Sequence, residues 1–381
     1  MHSKANSMGQ NVNVYGVGWV VASKPAAPAW RPDPRANLML SPMPPTIKDV
    51  AKVAGVSVAT VSRVMNGHAA VTPETRARIL GIAKELKFTP SGAARSLIMK
   101  RTQTIGALLP DLHGEYFSEL IRGIDLAARA RGLHLLVSSS HGNAEEAATA
   151  LRAMHGRVDG MLVMTPHLSA EFLEGHLPSG LPAVLMNACA PNEHHASFQV
   201  DNYGGAREMT QHLWQQGHRR IAFVAGPVQN HEANERLRGY REALTALSRT
   251  AKPSIWQGDF TEETGYQAAR QILEASPRPT AIFAANDMMA LGCMAVMARA
   301  QLQVPQDISV VGFDDIPIAR YVTPALTTVR VPIVDLGSQA LAALALQIER
   351  QPAEPAPSSV LQVQLVHRQS CAPPPRSSGA A

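Results

Sequence analysis

From Thr104 to about residue 371, short apolar runs alternate with longer stretches in which apolar positions recur every three or four residues. The runs are "IGALLP" (105–110), "LHLLVSS" (133–139), "GMLVM" (160–164), "PAVLMN" (182–187), "RIAFVAG" (220–226), "AIFAAN" (281–286) and "ISVVGFDD" (308–315). They are short and almost continuously apolar, which predicts strands buried on both faces. Stretches such as "EYFSELIRGIDLAARARG" and "NYGGAREMTQHLWQQG" predict the helices that cover them. This alternation implies parallel sheets with helices on both sides. There are too many strands for one compact doubly wound unit, so two similar α/β subdomains are expected. In such sheets ligands sit beyond the carboxyl ends of the strands.

Residues 46–100 carry a different pattern, that of several short helices. Thr46 can cap "IKDVAKVAG", Ser57 can cap "VATVSRVMNG", and Thr72-Pro73-Glu74 opens "ETRARILGIAKELKF". In the last of these Ile79, Ile82, Ala83 and Leu86 form one apolar stripe. The second is unusual, because "VSVATVSRVMNG" (56–67) is rich in β-branched residues that lose rotamer freedom in a helix. With Ile47 as position one of a two-helix unit, Ala51 is fifth, Gly55 ninth and Val61 fifteenth. That is helix-turn-helix spacing: a small residue for close approach, a glycine for the turn, and an apolar anchor on the second helix. Val58 and Ala59 are short enough to let that helix lie deep in a major groove and touch thymine methyls. Thr60, Ser62 and Arg63 can reach phosphates or base edges.

Charge sharpens this reading. Between Thr46 and Arg101 there are ten Lys/Arg and three Asp/Glu, a balance of +7, whereas the whole chain carries +5. A basic block on a near-neutral body suggests a segment that meets an anion, although a solvated helical face would look similar. Cys189, Cys293 and Cys371 lie far apart with no CxxC spacing, so a reducing cytoplasm is expected. No run is apolar for the roughly 18 residues a membrane helix needs. Residues 1–45 read as an extended leader, with translation expected to start at Met43 or Met39, and 372–381 as a disordered tail.

The segment 46–97, "TIKDVAKVAGVSVATVSRVMNGHAAVTPETRARILGIAKELKFTPSGAARSL", closely resembles the headpiece of the lactose-repressor/galactose-repressor family of bacterial transcription regulators. Further matching motifs are "RVDGMLVM" (157–164), "VDNYGGA" (200–206), "RLRGY" (236–240), "AIFAANDMMALG" (281–292), "VVGFDDIPIARYVTPALTTV" (310–329) and "HRQSC" (367–371). The resemblance implies an all-α helix-turn-helix headpiece (46–90), a hinge helix and linker (91–103), and a two-lobed core (104–371). That core, two doubly wound subdomains, resembles periplasmic sugar-binding proteins. It also implies a homodimer on a pseudo-palindromic double-stranded operator. The candidate DNA contacts are Thr46, Ser57, Val58, Ala59, Thr60, Ser62, Arg63 and Asn66 in the headpiece, and Ala94, Arg95 and Leu97 in the hinge. By resemblance Leu97 wedges into the central base step from the minor groove. The Pro-rich tail "CAPPPRSSGAA" cannot form a heptad helix, so a dimer is expected rather than a tetramer.

The same resemblance implies a small-molecule effector between the lobes. Arg236 can fork across adjacent hydroxyls or a carboxylate, but it can also pair with Glu232 one turn away. Asn286 and Asp314 end strands, yet Asn286 can simply cap the next helix and Asp314 can hold a turn with Asp315. On the first lobe the candidates are Asp111, Tyr116, Phe117, Ser140, Met164 and Asn187. Asn187 stands where family members often carry Asp, which makes a cationic ligand less expected. The set points to a hydroxyl-rich ligand, a monosaccharide or small glycoside, with a purine as the alternative. No metal, cofactor or catalytic constellation emerges: His194-His195 lacks a third ligand, and "YGVGWVV" lacks the third glycine of a dinucleotide site. A solute-binding protein without a DNA role would need an export signal and would have no use for residues 46–97.

Overall fold

The computed structural model describes residues 45–67, 70–89, 101–188, 195–349 and 358–375. They fall into two compact units, one within residues 1–90 and one within 91–381.

The first unit has three helices, α1 (Ile47–Ala54), α2 (Val58–Met65) and α3 (Pro73–Glu85). Thr46 and Asp49 close a capping box at the start of α1, where the Thr46 amide donates to Asp49 Oδ2 at 2.8 Å. Gly55 ends α1 with φ 66°, a left-handed turn that glycine adopts without strain. Ser57 then caps α2 by accepting from the Thr60 amide at 3.2 Å. Val50, Ala51, Ala54, Val61, Val64, Ile79 and Ala83 form the core of this unit. The small Ala51 and the anchor Val61 thus sit where the helix-turn-helix spacing requires them. Of the α3 stripe, Ile79 and Ala83 are buried, and Ile82 and Leu86 pack half-buried beside them.

The second unit is built on two parallel sheets. The first has the order β11-β5-β4-β3-β1-β2 and the second β7-β6-β8-β9. Strands of the first are β1 (Thr104–Leu109), β2 (His134–Ser139), β3 (Gly160–Met164), β4 (Ala183–Met186), β5 (Ala196–Val200) and β11 (Ser358–Leu361). Strands of the second are β6 (Ile221–Ala225), β7 (Ser254–Gln257), β8 (Ala281–Ala284) and β9 (Ser309–Val311). A two-stranded antiparallel ribbon joins β10 (Thr328–Arg330) to β12 (Gln364–Val366). Helices α4 (Glu115–Arg129), α5 (Ala144–Met154), α6 (Ala170–His176) and α11 (Ile333–Glu349) belong to the first lobe. Helices α7 (Asn202–Gln215), α8 (His231–Leu247), α9 (Glu262–Glu274) and α10 (Asp287–Arg299) belong to the second. Helices α4 and α11 approach so closely that a Cβ on Gly123 would lie 2.3 Å from the Val334 carbonyl oxygen.

The chain passes between the lobes at Val200–Asn202, Arg330–Ile333 and Leu361–Gln364. Near the second and third crossings, Arg330 and Arg368 both bond the buried carboxylate of Asp315. The run expected as strand 308–315 is a strand only over Ser309–Val311. Beyond it Asp314 and Asp315 turn into the left-handed region, with φ 113° and 56°.

Candidate functional site

Two surfaces merit a functional reading. The first is the start of α2. Ser57, Val58, Ala59, Arg63 and Asn66 are exposed, and Thr60 and Ser62 are half-buried. Val58 is 42% exposed although this small unit has few apolar residues to spare for its core. The buried residues of α2 are Val61 and Val64, with Met65 half-buried beside them, which leaves its amino-terminal turn outside the core. Thr46 is exposed too, its hydroxyl donating to Asp49 at 2.7 Å. Ala94, Arg95 and Leu97 lie outside the described residues.

The second is a cleft between the lobes, about 720 Å³ of empty space with its open mouth included. Every element that lines it enters from the carboxyl end of a parallel strand. From the first lobe come Asp111, Tyr116 and Phe117 after β1, and Met164 at the end of β3. From the second come Glu232 and Arg236 after β6, Asp259 and Phe260 after β7, Asn286 after β8, and Asp314 after β9. The fold thus gathers Asp111, Tyr116, Phe117, Met164, Arg236, Asn286 and Asp314 from the sequence reading. Asn187 is one contact behind the wall: its amide donates to Glu232 Oε1 at 2.7 Å and to the Tyr116 hydroxyl at 3.3 Å. Ser140 is placed elsewhere. It is fully buried, outside the cleft lining, and its hydroxyl donates to the Leu109 carbonyl at 3.4 Å. Of the first-lobe candidates, Ser140 is therefore not among the residues that line the cleft.

Arg236 organises the second-lobe wall. Its Nε donates to Asn202 Oδ1 at 2.8 Å and its Nη1 to the Ala285 carbonyl at 2.7 Å. Nη1 also lies 3.0 Å from Asp314 Oδ1, and Nη2 lies 4.0 Å from Glu232 Oε1. The Asp314 contact is a charge contact out of line with the N–H bonds, so Asp314 Oδ1 has no hydrogen-bond partner among the described residues. The guanidinium carbon stacks 3.9 Å from the Phe313 ring centroid. Asn286 does two things at once: its Oδ1 caps α10 by accepting from the Met289 amide, and its amide donates to the Phe260 carbonyl.

Burial dominates the electrostatics. It pushes the Glu232 carboxyl up to about 7, with Arg236 pulling the other way, and Asp314 up to about 6 for the same reasons. The Tyr116 hydroxyl, turned inward toward these groups, is raised well above its usual range by desolvation and then by Glu232. Asn187, Phe260 and Asp314 all hold positive φ at this one site. Such strain concentrates where the surroundings over-determine it, typically around ligands. Glu232 appeared in the sequence only as an ion-pair partner, and Phe260 not at all. The i−4 spacing from Arg236 signalled the first; nothing in "GDFTEE" signalled the second. Among the described residues no group of three or more His, Cys, Asp or Glu is arranged to hold a metal ion. Among them no helix is long and apolar enough to cross a membrane.

Residues 46–91 match the model for bacterial regulatory proteins of the lacI family, and residues 210–371 that for a periplasmic binding protein-like domain. The HTH-type transcriptional repressor PurR of Proteus mirabilis (strain HI4320) is 38% identical over 336 residues, 87% of this chain and 98% of the relative. A lac repressor dimer bound to operator and an anti-inducer superposes with TM-score 0.77 at 31% identity, covering 86% of this chain and 99% of that one. A complex of the transcriptional regulator CelR with cellobiose superposes with TM-score 0.63 at 33% identity, covering 86% and 100%.

Proposed function

The chain belongs to the lacI family of bacterial regulatory proteins and is a DNA-binding repressor of that family; we propose that it represses carbohydrate-utilisation genes and that a small sugar-like effector in the cleft sets its operator affinity. The exposed amino-terminal turn of α2 enters the major groove, with Val58 and Ala59 against base edges and Arg63 near the backbone. Thr46, Ser57, Thr60, Ser62 and Asn66 complete the headpiece contacts, and Ala94, Arg95 and Leu97 those of the hinge. The repressor acts as a homodimer in the cytoplasm, since a pseudo-palindromic operator needs a two-fold reader.

The observation that carries the effector reading is the cleft itself. Polar ends of strands from both lobes converge there beside aromatic faces, the arrangement that grips a polar ring. Asp314, Asn286 and Arg236 then bond ligand hydroxyls, and Phe117 or Phe260 covers the ring face. A purine is the second reading. It is favoured by the likeness to a protein named PurR and by aromatic rings on both lobes, which suit a flat base equally well.

A thermal-shift panel of monosaccharides, disaccharides and purines tests this. A ligand at about 100 times its dissociation constant adds roughly 2.7 kcal/mol. The expected result is a hit that disappears in Asp314→Ala. A hit confined to purines replaces the sugar, and a hit indifferent to Asp314→Ala contradicts the cleft as its site.

A further inference from the structure

The charges that line the cleft are lopsided. Asp111, Glu232, Asp259 and Asp314 are acidic, and among the described lining residues they face one guanidinium, Arg236, and one imidazole, His113. The two at the mouth are held by their own loops: Asp111 accepts from the Leu112 amide at 2.6 Å and Asp259 from the Thr261 amide at 2.9 Å. The two inside are buried, Glu232 to 6% exposure and Asp314 to 4%. Their single cation is already spent on Asn202, the Ala285 carbonyl and Asp314.

Helices α8, α9 and α10 all begin at this cleft, and the positive ends of helices attract anions. Here the anions they meet are the protein's own. Their first turns carry Glu232, Glu262 and Asp287, and their caps Asn230, Thr261 and Asn286 already satisfy amides of those turns. An incoming phosphate or carboxylate would find an amide of each helix end already capped and an acidic residue in each first turn, and would add its charge to an excess of acidic groups. A ligand bearing O–H or N–H donors finds the reverse. Asp314 Oδ1 is buried without a hydrogen-bond partner among the described residues, and Glu232 accepts from the Asn187 amide at 2.7 Å, with the Asn202 side chain also beside it.

We propose that Glu232 is a specificity-determining residue, and that with Asp314 it selects an effector that is uncharged or cationic and rich in hydrogen-bond donors, against phosphorylated or carboxylated counterparts. The proposal rests on the cleft being the effector site. It also revises the expectation drawn from Asn187: the acidic group missing at that position is supplied by Glu232, which Asn187 holds in place.

The test is calorimetric titration of the full chain with matched series on two scaffolds: glucose, glucosamine, glucose 6-phosphate and gluconate; adenine and adenosine monophosphate. The expected result is binding confined to the neutral and amine-bearing members. Glu232→Gln weakens the neutral ligand about tenfold and the amine more, and narrows the discrimination against the anions. Asp314→Asn gives the same pattern and serves if Glu232→Gln fails to fold. Tight binding of the phosphate or the carboxylate, or binding with selectivity unchanged in both variants, overturns the proposal while leaving the cleft as the site. Silence across both series contradicts the sugar and purine readings beneath it, and the proposal falls with them.

Discussion

At the scale of single residues the cleft is a place where two buried carboxylates share one guanidinium. The folded-state values of Glu232 and Asp314 lie above their ordinary 4.5 and 3.8, at about 7 and about 6. The folded state therefore holds protons that the unfolded chain has released. That contribution to stability is complete below the unfolded values and disappears as pH rises through the folded ones. The stability these two groups contribute to the ligand-free protein is accordingly lost between about pH 4 and about pH 7, and Glu232→Gln is expected to remove part of it, seen as a difference in the pH dependence of denaturant resistance between the two proteins. An identical slope in the two proteins would contradict the assignment. Arg236, Asn286 and Asp314 were legible in the sequence because each sits in a motif or at a strand end. The burial of Glu232 was not, since helical spacing says which residues are neighbours but not which face meets a cleft. Ser140 misled for the opposite reason: a serine at a strand end looks like a donor to a ligand, and here the nearest acceptor is the Leu109 carbonyl.

At the scale of elements, α2 shows why propensity is a weak guide. Its β-branched residues are tolerated because Val61 and Val64 dock into the small core and Ser57 caps the first turn. Ser57→Ala is expected to cost about 1 kcal/mol in the three-helix unit and to weaken operator binding, with the ligand response of the core intact. Thermal melts followed separately by DNA binding and by ligand shift would check this, and an unchanged operator affinity would contradict it. Of the strands, those with continuous apolar runs were readable. Ala196–Val200 and Ser254–Gln257 were not, because each is short and carries polar residues among its few apolar ones. The β10–β12 ribbon and the edge strand Ser358–Leu361 pair residues remote in sequence, and no local pattern announces such pairing.

At the scale of the whole molecule, strand–helix alternation foretold two parallel sheets, and each sheet indeed points its carboxyl ends at a common cleft. The path of the chain was not foretold. It leaves the first lobe after Val200, returns for Ile333–Glu349 and Ser358–Leu361, and crosses again to Gln364, a route visible only once the sheet order is known. That route matters for control. A ligand touching both walls can favour one lobe-to-lobe angle over another, and it can shift DNA affinity only by its differential affinity for the two states. The most direct test is operator affinity measured with and without the cleft ligand, on a duplex selected from random sequence by the full chain. The expected result is a pseudo-palindromic site and a ligand-dependent change of about five- to 150-fold that is lost in Asp314→Ala. An operator affinity that stays the same with the cleft saturated would contradict it.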